Sequence, residues 1–385
     1  VKIRHVSAHL PPDQAANAIL PASLGAWSAT RGHDVGFVAH DPVQGRPAEA
    51  LGLPVTRVPW REAAPGLARL LRVDAIRSAR QIERTLDQVA GEADLVHLHS
   101  NGLLVEVAAA WARRRRKPHV LTLYGTEIWH YRRRWPIDPF TRAYRGASAV
   151  TFYSQGLLDR ARGLGLERAG LTVIYPPVGE AFQPVDEDTR AAWRKALGIV
   201  ERLVILNVKR LHELAGQRDL LDAFAAATRR RRDVRLVICG TGPLRAALDA
   251  RVQELGLSDR VTLTGLVSHT DVARYMAVAD VFVLPSLLEA LPTVAVEALA
   301  AGTPVVSADH PGGLELSALV GDDVVVVPRR DVDRLAKAMT AAIERPARTR
   351  AATRQIVADR FGSTAVASAY HALYDTLASG QAAPR

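Results

Sequence analysis

LPSLLEALPTVAVEALAAGTPVVS, residues Leu284 to Ser307, carries two carboxylates, Glu289 and Glu297, and no other charge. Val281 to Leu284 is a short apolar run suited to a buried strand, and Pro292 stands where a first helical turn tolerates proline. Gly302-Thr303-Pro304 ends the helix before a second apolar run, Val305 to Ser307. The order is strand, helix, strand. A helix start at the carboxyl edge of a parallel sheet offers unpaired N–H groups and the positive end of a dipole, the usual place for a phosphate. Glu297 stands among Val294, Ala295, Val296, Ala298, Leu299, Ala300 and Ala301, and a carboxylate on so apolar a helix needs a partner if it is buried.

Eight residues of helix span about 12 Å, whereas the two acids of a glycoside hydrolase stand roughly 5 to 9.5 Å apart. The spacing disfavours two acids working on one bond. It suits a long ligand held at two points, a nucleotide's ribose by one glutamate and sugar hydroxyls by the other, with phosphates over the helix start. The competing reading is an ordinary amphipathic helix whose Glu297 pairs with an arginine.

A chain of 385 residues is comfortable for two domains, each with its own core. Hydrophobic residues make up 48% and aromatics only 5%, and short Val/Ile/Leu runs alternate with longer helical patterns, which reads as α/β. The single cysteine, Cys239, allows neither an intrachain disulfide nor a cysteine zinc cluster and suits a reducing compartment. No charged-then-apolar leader and no window of about 18 apolar residues is visible, so the expected location is the cytoplasm, extending to the inner face of the membrane.

The net charge of +10 raises the question of nucleic acid. Arg113 to Lys117 and Arg229 to Arg232 each close an expected helix just before a strand, where cations suit the dipole, and they lack interleaved aromatics, so no nucleic-acid partner is expected. Arg132-Arg133-Arg134 differs, being flanked by Trp129, Tyr131 and Trp135. It reads as a solvated loop or as a peripheral contact for anionic lipid or an acidic acceptor.

Strand and helix patterns alternate from Val1 to Tyr175, and Tyr175 to Pro184, rich in proline, forms a linker. Asp186-Glu187-Asp188 then reads as a helix start rather than a metal site, and the alternation resumes at Leu203 and runs to a strand at Val324 to Val327. The fold expected is two Rossmann-like doubly wound domains facing a central cleft: residues 1–180, joined by 364–385, and residues 181–363. The returning segment is a helix, Thr364 to Leu377, whose Val366, Ala367, Ala369, Tyr370, Leu373 and Leu377 form one apolar face.

The chain resembles the retaining GT-B glycosyltransferases of family 4, also called group 1, over most of its length and most strongly from Leu203 to Phe361. The resemblance rests on Glu289, seven residues and Glu297, on Gly240-Thr241-Gly242-Pro243-Leu244 after a strand, and on Arg260 to Gly265 before a loop. It implies that Glu289 holds donor-sugar hydroxyls and Glu297 the ribose. Gly240, Gly242, Leu266, Ala290, Leu291 and Thr293 would complete the nucleotide-sugar site. The family's strand-end arginine maps onto Arg210, whereas Ala215 stands in place of its lysine, with Lys209 or Arg218 as replacements. Fixed cations aimed at the leaving diphosphate would be the largest catalytic term.

In the first half, the histidine-glycine-threonine-acid that the family often carries reads Tyr124-Gly125-Thr126-Glu127. Tyr124 thus joins Arg210, Glu289 and Lys209 as a catalytic candidate, although a phenol of pKa about 10 is a poor base. Asp13, Asn17, Thr126 and Glu127 are the acceptor-binding candidates. His97 and His99 share one strand face and read first as structural.

The implied reaction moves a sugar from a nucleoside diphosphate sugar, a UDP-sugar first and GDP-mannose second, to a hydroxyl of a glycan, lipid-linked or small-molecule acceptor. Front-face substitution retains the anomer. No metal is expected and no cofactor, the nucleotide sugar being a substrate. The alternatives are a nucleotide-sugar 2-epimerase and a non-catalytic nucleotide-sugar-binding protein at a membrane surface.

Overall fold

The computed structural model describes residues 1–11, 16–41, 49–59, 73–133 and 138–380, the side chains of Ala16, Asn17 and Val73 excepted. The chain divides into two compact units, Val1–Pro176 with Val366–Arg385, and Pro177–Ala365.

The sheet of the first unit contains β1 (Lys2–Ser7), β2 (Asp34–Asp41), β3 (Glu49–Ala50), β4 (Leu53–Pro59), β5 (Leu95–His99), β6 (His119–Leu123), β7 (Ala149–Phe152) and β8 (Leu171–Val173), in the order 3-4-2-1-5-6-7-8. Its strands are parallel except for the two-residue β3, which the sequence reading did not include and which pairs antiparallel with β4. Every residue of β5, β6 and β7 is buried, as strands covered on both faces require.

That core is also polar. Strand pairing sets His5 beside His97, and His5 Nδ1 shares a 3.0 Å hydrogen bond with His99 Nε2. His97 bonds through Nε2 to Thr122 Oγ1 at 2.7 Å and through Nδ1 to the Tyr374 hydroxyl at 2.6 Å. Tyr374 belongs to the helix Ser363–Ala378, which also presents His371 Nε2 to Ser28 Oγ at 3.0 Å. The returning helix is therefore held to the first sheet by hydrogen bonds as well as by its apolar face. Three histidines without exposure would be costly if charged, and burial lowers all three, His5 to about 3, so they are neutral. Their ligand atoms lie within 4.8 Å of one another, but the hydroxyls of Thr122, Tyr124 and Tyr374 already engage His97 and His99.

The sheet of the second unit contains β9 (Leu203–Val208), β10 (Val234–Cys239), β11 (Val261–Gly265), β12 (Val281–Leu284), β13 (Val305–Ala308) and β14 (Val324–Val327), all parallel, in the order 11-10-9-12-13-14. Its core packs Ile205, Leu236, Ile238, Val281 and Val283 against Phe224 and Met339. Asp186 caps the helix Glu187–Ala196 by accepting from the Thr189 amide at 2.7 Å, as the acidic run predicted. Arg190 fastens that helix to Asp280 at 2.6 Å, and Asp280 in turn accepts from the Val204 amide at 2.7 Å.

Candidate active site

The strand order brings the carboxyl ends of β9 and β12 side by side, and the loops that follow them carry the site. Beyond β9, Lys209 reaches across to Glu289 beyond β12, Nζ to Oε1 2.5 Å. Glu289 lies on a loop, because the helix starts only at Thr293 with Pro292 as its N-cap, not inside its first turn. The 12 Å estimate assumed eight helical residues between the glutamates, so it does not hold here. The loop's path depends on Gly312, whose amide donates to Glu289 O at 3.1 Å. A Cβ there would stand 2.6 Å from Pro292 Cδ and 2.9 Å from Ala290 O. Gly312-Gly313, a diglycine opening a helix after a strand, is a signal legible in the sequence.

The amides of Ala290, Leu291 and Thr293 donate to no acceptor among the described residues, leaving three N–H groups beside Glu289 for a ligand. Arg210 is exposed and has no ion pair among those residues, so its guanidinium is free to grip phosphate. Arg218, also exposed, has none either. Its neighbour in the motif, Ala215, is fully buried in a single 3-10 turn, Glu213–Ala215, so it is not a vacant phosphate position facing solvent. Lys209 is the cation built into the site.

Gly240 and Gly242 have a different main task from the one expected. A Cβ on Gly240 would stand 2.1 Å from Lys209 O, and one on Gly242 2.1 Å from Leu211 O. Both are required for the loops after β9 and β10 to lie against each other. The Gly240 amide is taken by Gly265 O at 2.9 Å, so it has no N–H left for a phosphate. Leu266, just beyond Gly265, is 76% exposed, an apolar surface of the kind a base covers.

Glu297 has no ion pair among the described residues, which removes the arginine-paired reading. Burial alone pushes its carboxyl up to about 7. A half-buried acid without a protein partner is what a ligand contact would leave in the free protein.

The first-unit candidates belong to the other compact unit. The Tyr124 hydroxyl bonds His99 Nδ1 at 2.8 Å, and burial raises its phenol well above the ordinary value. Tyr124 is thus tied into the histidine core and is unsuited to proton abstraction, which corrects its catalytic assignment. Glu127 is buried, with Oε2 accepting from the amides of Gly125 at 2.8 Å and Tyr124 at 3.2 Å. It shapes this turn, while Oε1 stays buried without a partner. Thr126 is exposed. Asp13, Arg134 and Trp135 lie outside the described residues, as does the side chain of Asn17.

Two parallel α/β units with donor-type groups on the carboxyl edge of the second define the GT-B architecture. Anabaena Alr3699/HepE in complex with UDP shares it, with a TM-score of 0.78 over 98% of this chain and 100% of that one at 20% identity. The family model described as Glycosyl transferases group 1 matches residues 189–358, and that of Glycosyltransferase Family 4 matches residues 22–181. The chain is 30% identical to the 2-deoxystreptamine glucosyltransferase of Streptomyces kanamyceticus over 294 residues, 70% of this chain and 74% of that protein. It is 33% identical to the GDP-mannose-dependent alpha-(1-6)-phosphatidylinositol monomannoside mannosyltransferase of Mycobacterium tuberculosis over 218 residues, 53% of this chain and 56% of that one. The chain belongs to the group 1, family 4 glycosyltransferases and transfers sugars from nucleotide sugars.

Proposed function

We propose that the enzyme uses a UDP-sugar, with GDP-mannose as the second candidate, and delivers the sugar to a hydroxyl with retention of configuration. The observation that carries the reading is the Lys209–Glu289 pair beside three open amides and the unpaired Arg210. Glu289, paired with Lys209, accepts from donor-sugar hydroxyls while Lys209 and Arg210 face the diphosphate. As the glycosidic bond breaks, charge builds on the phosphate, where fixed cations act most strongly. Front-face substitution lets that phosphate take the acceptor's proton, so no protein base is needed, in keeping with the bonded, neutral Tyr124. HepE, the neighbour of the same fold, holds UDP, which supports the uridine donor; the mycobacterial relative's name supports GDP-mannose.

No helix among the described residues is long and apolar enough to cross a membrane. The acceptor reading, a glycan, lipid-linked or small-molecule hydroxyl, rests on exposed Thr126. Melting-temperature shifts with UDP, GDP, ADP and dTDP test the donor, since a ligand at 100 times its Kd adds about 2.7 kcal/mol. A response to ADP or dTDP alone would reject both donors. The proton coupling of the product's anomeric centre tests the stereochemistry, and an inverted anomer would reject the front-face route.

A further inference from the structure

A second basic site lies at the opposite edge of the donor unit's sheet. Its strands are all parallel, so the turns leading into β10 and β11 are remote from the carboxyl edge that carries Lys209 and Glu289. Arg229 and Arg232 come from the turn before β10, Arg260 from the residue before β11, and Arg251 from the last turn of the helix Arg245–Glu254. With Asp222 and Leu257 among their neighbours, they line a hollow of about 750 Å³.

The charges do not balance within it. Arg251 is occupied by Asp222 at 2.7 Å and Glu254 at 2.9 Å. Arg229 and Arg232 are exposed and have no ion pair among the described residues. Arg260 is only 7% exposed, and its Nη1 donates to Arg231 O at 2.9 Å and Thr228 Oγ1 at 3.0 Å, which fixes the guanidinium in place. Its Nε is buried without a hydrogen-bond partner, the Asp259 carboxylate standing 3.9 Å away. Helix C-termini attract solvated cations, which accounts for Arg229, and the Arg260 guanidinium rests over the Phe224 ring at 5.7 Å, yet its Nε–H stays unused. The same helix ends oppose an anion, yet more weakly than hydrogen bonds from arginines favour it.

We propose that this hollow binds a phosphate-bearing anion, at a site separate from that of the sugar donor. Planar guanidinium forks match phosphate oxygens, and two unpaired arginines lining the same hollow as a buried third supply donors of that kind. A free phosphate compound and a lipid headgroup offer the same group, so the test separates them.

Inorganic pyrophosphate is titrated calorimetrically into the full chain carrying Arg210→Ala, which weakens the donor-side phosphate grip, and then into the same chain with Arg229→Glu and Arg232→Glu added. Binding in the first and a loss of at least about tenfold in the second are expected, the size of one hydrogen bond to a charged group. Flotation with phosphatidylglycerol or phosphatidylcholine vesicles forms the second arm. Capture by phosphatidylglycerol alone, abolished by Arg229→Glu with Arg232→Glu, without pyrophosphate binding, assigns the phosphate to a lipid. Equal binding by both proteins, or binding of neither ligand, overturns the proposal. Introduced with Arg210 intact, Arg229→Glu and Arg232→Glu lie outside the donor site and leave sugar transfer at saturating donor unchanged, so a failed donor assignment would not affect the result.

Discussion

Lys209 Nζ and Glu289 Oε1 meet at 2.5 Å across the ends of β9 and β12, residues 80 positions apart in the chain that strand adjacency makes neighbours. Under the proposed function this pair serves as one device, the cation orienting the carboxylate. Lys209→Met should lower turnover about 10- to 100-fold, equivalent to about 1.4–2.7 kcal/mol. Adding Glu289→Gln should cost little beyond the worse single change, because coupled residues are not additive. Fully additive losses in kcat would show that the two act separately.

Arg210 is exposed and unpaired, so replacing it should spare the fold. Arg210→Lys is expected to reduce turnover about 100-fold or more, in the range of one lost transition-state donor, about 2.7–4 kcal/mol, with melting unchanged. Near-normal turnover would remove Arg210 from the mechanism.

Ala215 gives the opposite expectation from the family pattern. It is fully buried, so Ala215→Lys would bury an ammonium and should lower the melting temperature without strengthening donor binding. A tighter donor Kd with unchanged melting would show that this turn opens to the phosphates.

Burial holds Glu297 up to about 7 in the folded protein, above its ordinary 4.5. The folded state therefore binds more protons between those values, and the stability Glu297 contributes is present below about pH 4.5 and lost as pH rises through about 7. Glu297→Ala should weaken nucleotide binding and make the protein relatively more stable at pH 8 than at pH 5, compared with the parent. Melting curves and nucleotide titrations at both pH values check this. Unchanged affinity with a much lower melting temperature would make Glu297 a structural residue.

Tyr374→Phe leaves His97 Nδ1 without its partner in the core and should cost about 1–3 kcal/mol. The buried histidines titrate below their unfolded value of 6.5, so the unfolded chain binds more protons and their contribution is lost as pH falls from 6.5 toward the folded value, about 3 for His5. Denaturant unfolding of the parent should show stability declining below about pH 6. A flat profile to pH 4 would contradict the neutral core.

The residues by themselves carried the alternation of strands and helices, the helix start at Asp186, the two glutamates and the apolar face of the last helix, because periodicity and capping are local. Glu289 stood out by itself as a charge in an apolar stretch, whereas Arg210 was pointed to by the family resemblance. Three-dimensional neighbours decided the rest. His5 joins His97 and His99 only because β1 lies beside β5, and Tyr124 is drawn into that network and away from catalysis. Lys209 gains its carboxylate because β9 lies beside β12, while Gly240 and Gly242 reveal themselves as close-approach positions, the Gly240 amide being taken by Gly265. Ala215 looks like a missing lysine in the sequence and is a packed residue in the fold. Burial and hydrogen-bond partners are set by which distant strands become adjacent, and no local spacing encodes that.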